Sequence, residues 1–330
     1  MGKQGEVMKK YRILLAMLAV IVLGTGCGEK DKQVSDKQAG KQVDKEEVTA
    51  EEYDFETYKS LEDILSIEPV QLEEQGAQCV VSYRFTYQSD DAQVVGYIGI
   101  PKECIEQKKP YPVIVYNRGG NQDYGALQEQ EIAYMSYQFN SVVIGSQYRG
   151  TSGGTGKDQY GGKDVEDVVK LLDLCEQFSF VDMDNLCMMG ASRGGMMSYM
   201  VARQDNRVKR LVIISGLTDL FQSFEERSDM QALLTELIGK TPGEATEEYE
   251  KRSAICWADE IKVPVLMFHS RNDEKVSFSQ AEAMYQALKE AGTECSFVVY
   301  EDNIHGLREE EIPIINQWLN GEDVSQYTVK

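Results

Sequence analysis

Histidine is scarce in this chain. Of 330 residues only two are His, His269 and His305. Any imidazole base must therefore be one of two side chains. Paired cysteines are lacking as well. The cysteines are Cys27, Cys79, Cys104, Cys175, Cys187, Cys256 and Cys295, and none forms a Cys-x-x-Cys. Zinc-ribbon and dithiol redox motifs need that spacing, so no metal and no other cofactor is expected. Basic charge is short: 34 Lys and Arg face 55 Asp and Glu, for a net charge of −21. Nucleic acid is excluded as a partner, because phosphate binding needs an excess of Lys and Arg. The acidity reads as a solubility device and argues against docking on anionic lipid by charge alone.

Two further signals fall short. The apolar run Ile13–Leu23 has eleven residues, well below the roughly 20 of a membrane span. The glycine-rich stretch ending in Gly156-Lys157 suggests a phosphate loop, but Thr151 stands where the motif starts with Gly. Asp158 stands where a Ser or Thr would meet magnesium, so nucleotide binding is not expected there.

The apolar run has a different meaning in context. Lys9, Lys10 and Arg12 precede it, and Gly24-Thr25-Gly26-Cys27 follows. Basic, apolar, then small residues is the layout of an export signal. A cysteine directly after the small residues resembles the lipobox of bacterial lipoproteins, although Leu23 lies one place further out than usual. The resemblance implies a signal over 1–27, a lipid on Cys27, and a protein held at the cell membrane on its extracytoplasmic side. Met8-Lys9-Lys10 offers a second natural start. Residues 28–58 are rich in Lys, Asp, Gln and Glu. Such a segment buries too little to offset its ordering entropy, so it is expected to be a flexible tether.

From 59 to 330 the chain reads as one domain; the apolar content of 42% over the whole sequence suffices for a sizeable core. Cys79–Tyr87 and Gln93–Ile100 alternate like an antiparallel pair. Pro112–Tyr116, Ser141–Ser146, Asn185–Met189, Val208–Ile214, Val263–His269 and Ser296–Tyr300 read as further strands, several of them continuous apolar runs covered on both faces. Helical spacing lies between them, within 126–139 and over 164–178, 196–202, 279–291 and 309–319. Strands alternating with helices predict an α/β fold with a mostly parallel sheet. Residues 217–260 break the alternation and are expected to form a helical cap. Cys175, Cys187 and Cys295 fall in expected buried elements, where cysteine behaves as a small apolar residue.

In parallel sheets functional groups gather at the carboxyl ends of the strands. Gly190-Ala191-Ser192-Arg193-Gly194-Gly195 lies between an apolar strand and an apolar helix, the pattern of a nucleophile elbow. The turn is sharp, so the positions two before and two after the serine must be small. Serine needs a base within hydrogen-bond reach. His305 follows the last strand; His269 ends the one before and reads as structural. Asp273 follows His269, with Asp302 in reserve as the acid. Ser192, Asp273, His305 is the chain order of α/β-hydrolases. An oxyanion hole is expected from the Arg193 amide and from the loop Arg118-Gly119-Gly120.

These pieces, taken together, are similar to the catalytic domain of the prolyl oligopeptidase family of serine peptidases. The matching stretches are Arg118-Gly119-Gly120, Tyr148–Gly154, Gly162–Asp167, Gly190–Gly195, Lys262–His269, Asn272–Val276 and Asn303–Gly306. The resemblance implies an α/β-hydrolase fold with Ser192 as nucleophile, Asp273 as acid and His305 as base. The family often has Tyr or His where Arg118 stands; a guanidinium there could bind a substrate carboxylate or the oxyanion. About fifty residues of expected ordered chain, after the tether ends at 58, precede the stretch that resembles the hydrolase domain, too few for the β-propeller of the larger family members. The expected function is a lipid-anchored serine peptidase forming an acyl-enzyme from a peptide or amide. A carboxylesterase for small or sugar-linked esters is the alternative, and a catalytically silent surface-binding lipoprotein the second. Neither the oligomeric state nor the acyl group is legible.

Overall fold

The computed structural model describes residues 54–73 and 78–328. The expected export signal, Cys27 and most of the expected tether lie outside the described residues. Residues 54–58, expected to belong to the tether, are packed instead. Phe55–Ser60 forms a 3-10 turn capped by Asp54, with Phe55 fully buried. Its ring meets Tyr83 and Phe85 from the sheet and Phe178 beneath it, at centroid distances of 5.3–5.5 Å. Aromatic burial of this kind outweighs the local polarity that suggests a tether.

Strands β1 (Ile64–Pro69), β2 (Val80–Ser89) and β3 (Ala92–Pro101) form an antiparallel ribbon. The β2–β3 hairpin is the expected pair. β1 carries no alternating signal, because its register shifts between Ile64 and Ser66; a bulge breaks the period of two. Helix α1 (Lys102–Gln107) then leads into the alternating part: β4 (Tyr111–Asn117), α2 (Glu129–Phe139), β5 (Val142–Ser146), α3 (Asp164–Cys175), β6 (Val181–Ala191), α4 (Arg193–Gln204) and β7 (Arg210–Ile214). α2 starts at Glu129 because Gln128 and Glu131 close a capping box there, satisfying amides that the helix leaves open. β6 is longer than its apolar run, with a register shift against β4 between Pro112 and Val113.

Where a cap is expected, α5 (Leu220–Glu226), α6 (Ser228–Ile238), α7 (Thr246–Arg252) and a 3-10 segment, Ala254–Glu260, intervene. β8 (Val265–Ser270), α8 (Phe278–Glu290), β9 (Cys295–Tyr300) and α9 (Glu311–Leu319) complete the domain. The nine strands lie in the order β1-β2-β3-β5-β4-β6-β7-β8-β9. Every pairing from β5–β4 through β8–β9 is parallel, as the unbroken apolar runs require. This is an α/β-hydrolase fold.

Along β4 the side chains divide between two cores. Val113 and Val115 join the cluster that includes Met196 and Leu171; Ile114 and Tyr116 join the one that includes Ile132 and Trp318. Each fully buried aliphatic side chain contributes about 1.5–3 kcal/mol. Cys175 and Cys187 are buried as expected, whereas Cys295 is only half-buried. The sheet order reverses at β4, with β5 on one side and β6 on the other. Asn117 pairs with Gly190 in register, so the loop after β4 and the turn after β6 emerge side by side.

Candidate active site

Ser192 is the single residue between β6 and α4. Its backbone is held at φ 56°, ψ −122°, a conformation that costs an L-residue about 1–3 kcal/mol. β7 and the loop after it hold it there: its N–H donates to Ile214 O at 3.0 Å, and its carbonyl accepts from Leu217 N at 3.0 Å. A Cβ at Gly190 would run into the Gly194 carbonyl, and one at Gly194 into the Asn117 carbonyl of β4. The two small residues are thus required by the closeness of helix and strand. Arg193 opens α4, so its N–H has no carbonyl four residues back to meet, and the helix N-terminus beside Ser192 favours developing negative charge.

Asp273 lies just past β8 with its side chain fully buried. Its Oδ1 accepts from Lys275 N at 2.8 Å and Val276 N at 3.1 Å. Its Oδ2 accepts from His305 Nδ1 at 2.8 Å. Burial alone would raise the carboxyl pKa. His305 and the two amides outweigh it, so Asp273 lies below the usual carboxylate range and stays ionised. Bonding at Nδ1 leaves His305 Nε2 as the nitrogen available to a nucleophile. Among the described residues Ser192 Oγ and His305 share no hydrogen bond; such bonds commonly tighten only in the substrate complex.

The other two candidates serve elsewhere. Asp302 accepts from Ser270 Oγ and Ile304 N, both at 3.1 Å, and pairs with Arg308. It shapes the loop that carries His305 and does not touch the imidazole. His269 is buried and donates Nε2–H to Val276 O at 2.9 Å. Burial pulls its pKa below the ordinary value, with the Val276 carbonyl and Asp273 partly opposing.

Gly119 borders the nucleophile: a methyl group built on it would sit 3.8 Å from Ser192 Oγ. Arg118 requires a correction. Its guanidinium is buried and bonded to backbone carbonyls. Nε donates to Gln147 O, Nη1 to the carbonyls of Gly119 and Tyr124, and Nη2 to those of Gln122 and Gln147. A guanidinium carries five donors, and these carbonyls engage all three of its nitrogens. Nothing remains to bind an oxyanion or a substrate carboxylate, so Arg118 is not an oxyanion donor through its side chain.

The Arg193 side chain is also buried. Asp158 grips it bidentately at 2.7 Å, and Asp164 reaches Nη2 at 2.5 Å. Burial would lower its pKa, but the two carboxylates more than reverse that. With Arg118 close by, two buried cations face two buried anions. Burial, then the Arg193 charge, pull the Arg118 pKa down to about 10, still high enough to keep it cationic at neutral pH. In the sequence Asp158 reads only as a misfit in a phosphate loop. One signal for its real role is available there: an arginine opening a buried helix must find carboxylates.

A cleft of about 870 Å³ opens between the helical insertion and the loops after β4 and β5. Lys240, Glu236 and Arg252 line one wall, and Asp123, Lys157 and Asp158 the other. It is polar and carries both signs of charge.

A model of the prolyl oligopeptidase family matches residues 128–318. A Bacillus subtilis protein described as an uncharacterized peptidase, YtmA, is 30% identical over 215 residues, covering 65% of this chain and 82% of that one. Among solved structures, an acylaminoacyl peptidase in complex with Z-Gly-Gly-Phe-chloromethyl ketone superposes with a TM-score of 0.62 at 22% identity. The match covers 83% of this chain but 44% of that one. Acetyl xylan esterase 1 from a Thermoanaerobacterium species superposes with a TM-score of 0.59 at 17% identity, over 82% of this chain and 90% of that one. At these identities the superpositions speak for the fold alone.

Proposed function

The chain belongs to the prolyl oligopeptidase family, and from that premise we propose that it is a serine peptidase acting through Ser192, Asp273 and His305. The observation that carries this reading is the 2.8 Å bond between Asp273 and His305, on the same rim of the sheet as the strained Ser192. His305 Nε2 takes the proton of Ser192 Oγ as that oxygen attacks the acyl carbon. Asp273 holds the imidazole tautomer and stabilises the imidazolium. The N–H groups of Arg193 and Gly119 receive the oxyanion. His305 then returns the proton to the leaving amine, and water releases the acyl group by the same steps in reverse.

A second reading, an esterase, is compatible with the same fold, which an acetyl xylan esterase shares along nearly its whole length. Both readings predict labelling of Ser192 by a fluorophosphonate probe and loss of labelling in Ser192→Ala. An unlabelled, folded wild type would refute both. Aminoacyl and peptidyl amides compared with short acyl esters separate them: hydrolysis of esters alone selects the esterase.

The export signal and the cysteine after it support a further part of the reading, a lipid on Cys27 that tethers the enzyme to the outer side of the cell membrane. Cys27→Ser should shift the protein from the membrane to the soluble fraction or stall its maturation. Unchanged incorporation of labelled fatty acid in that variant would reject the anchor.

A further inference from the structure

Tyr148 is the residue whose conformation the catalytic reading leaves unexplained. It follows β5, is completely buried, and holds φ 63°. The left-handed region is costly for a bulky aromatic residue, and such strain persists only where surroundings over-determine it. Here they do. Tyr148 N–H donates to Ser146 Oγ at 2.9 Å, and the next amide, Arg149 N–H, donates to Asp167 Oδ2 at 2.8 Å. The guanidinium carbons of Arg118 and Arg193 lie over its ring, 5.0 and 4.7 Å from the centroid. Both cations are desolvated, a setting in which cation–π contacts are strongest.

The phenol that this placement delivers donates to the backbone carbonyl of Arg118, at 3.2 Å. That carbonyl belongs to the peptide unit whose other end is Gly119 N–H. In a trans peptide the C=O and N–H point in opposite directions. Holding the carbonyl toward Tyr148 therefore turns the Gly119 N–H away from the buried stack, and Gly119 is the residue bordering Ser192 Oγ. The following peptide is fixed in the same way, because the Gly119 carbonyl accepts from Arg118 Nη1 at 3.0 Å. On the other side Arg193 Nη1 donates to Gly120 O at 3.1 Å, tying the elbow to the same loop.

We propose that Tyr148 is a positioning residue for the oxyanion hole: its hydroxyl, buried with Arg118 and Arg193, orients the peptide that presents Gly119 N–H to the acyl oxygen. The inference rests on the serine-hydrolase reading of Ser192. It places the determinant of that donor in a side chain that touches neither substrate nor nucleophile. Preorganised donors act because no reorganisation is left to the moment of reaction, and one hydroxyl removed from the frame releases the peptide.

Tyr148→Phe removes one oxygen and keeps the ring between its neighbours. The wild type is first labelled with a fluorophosphonate probe; absence of label at Ser192 overturns the catalytic reading and this inference with it. With labelling established, wild type and Tyr148→Phe are compared in hydrolysis of p-nitrophenyl acetate and in affinity for benzeneboronic acid, which forms a tetrahedral adduct on serine. Loss of a whole oxyanion donor costs about 10²–10³ in kcat; a donor set loose should cost about tenfold to a hundredfold. The expected result is a fall of that size in kcat with KM little changed, and a parallel fall in boronic acid affinity. Values within twofold of wild type in both assays overturn the proposal. So does a fall in turnover that the boronic acid affinity does not follow, because the defect then lies outside the oxyanion hole.

Discussion

His269 Nε2 stands 3.6 Å from Asp273 Oδ2, the same oxygen that accepts the bond from His305. The chain's two histidines thus converge on one carboxylate from opposite roles. His305 is the partly exposed partner; His269 is buried and spends its proton on Val276 O, closing the turn that carries Asp273. His269→Phe keeps a ring and leaves that carbonyl unpaired. Such a loss costs about 1–3 kcal/mol, and the looser turn should lower kcat more than it raises KM. Urea unfolding and steady-state kinetics test this; unchanged stability together with unchanged kcat rejects it.

The two aspartates near His305 should behave differently. Asp273→Asn keeps the shape but cannot hold the imidazole in its productive tautomer, and kcat should drop by about 10⁴. Asp302 is exposed and bonds Arg308 rather than the imidazole, and Asp302→Asn should cost less than about tenfold. Equal losses in the two variants would overturn the assignment of the acid.

Gly194 is packed against the end of β4. Gly194→Ala places a methyl group in the Asn117 carbonyl, and backbone on both sides leaves little room to yield. Overpacking of a rigid site costs about 1–3 kcal/mol or more. The variant should show a markedly lower melting temperature than Gly243→Ala, where nothing lies within 4 Å of the new methyl group. Similar melting temperatures would contradict the packing argument.

Glu311 gives the domain a contribution to stability that fades as pH rises. Its side chain is fully buried, 3.3 Å from Arg308 Nη1, and accepts Arg308 N–H at 3.1 Å. Burial, opposed by Arg308, pushes its pKa from 4.5 to about 7. The folded value exceeds the unfolded one. The contribution is therefore complete below the unfolded pKa of 4.5 and lost as pH rises through about 7, because the folded state binds the extra proton in that window. A tenfold difference in proton affinity between folded and unfolded chain corresponds to about 1.4 kcal/mol. Glu311→Gln cannot titrate, so the stability of wild type relative to the variant should decline from about pH 5 to about pH 8. A constant difference in urea unfolding at the two pH values would reject this.

The central strands and the elbow were legible because their causes are local. Val113 to Tyr116 must be apolar on both sides when both faces of a strand are covered, and Gly190 and Gly194 must be small when a helix turns back on its own strand. β1 was illegible because a bulge erases its period, and the packed start of the domain at Phe55 because its partners lie far along the chain.

The sequence by itself determined the acyl-transfer chemistry: a serine in a tight strand-to-helix turn, with an aspartate and a histidine after later strands in the hydrolase order. Only the tertiary structure decided what the two arginines beside that serine do. Arg118 could be read as a substrate-binding cation and Arg193 as a bare amide. In the fold Arg118 spends its donors on backbone carbonyls as far as Gln147, and Arg193 on Asp158 and Asp164. Those partners are brought together by the sheet order at β4, β5 and β6, and their distance along the chain leaves no periodic trace. A buried guanidinium needs acceptors close at hand, and only the folded chain brings these carbonyls and carboxylates to Arg118 and Arg193.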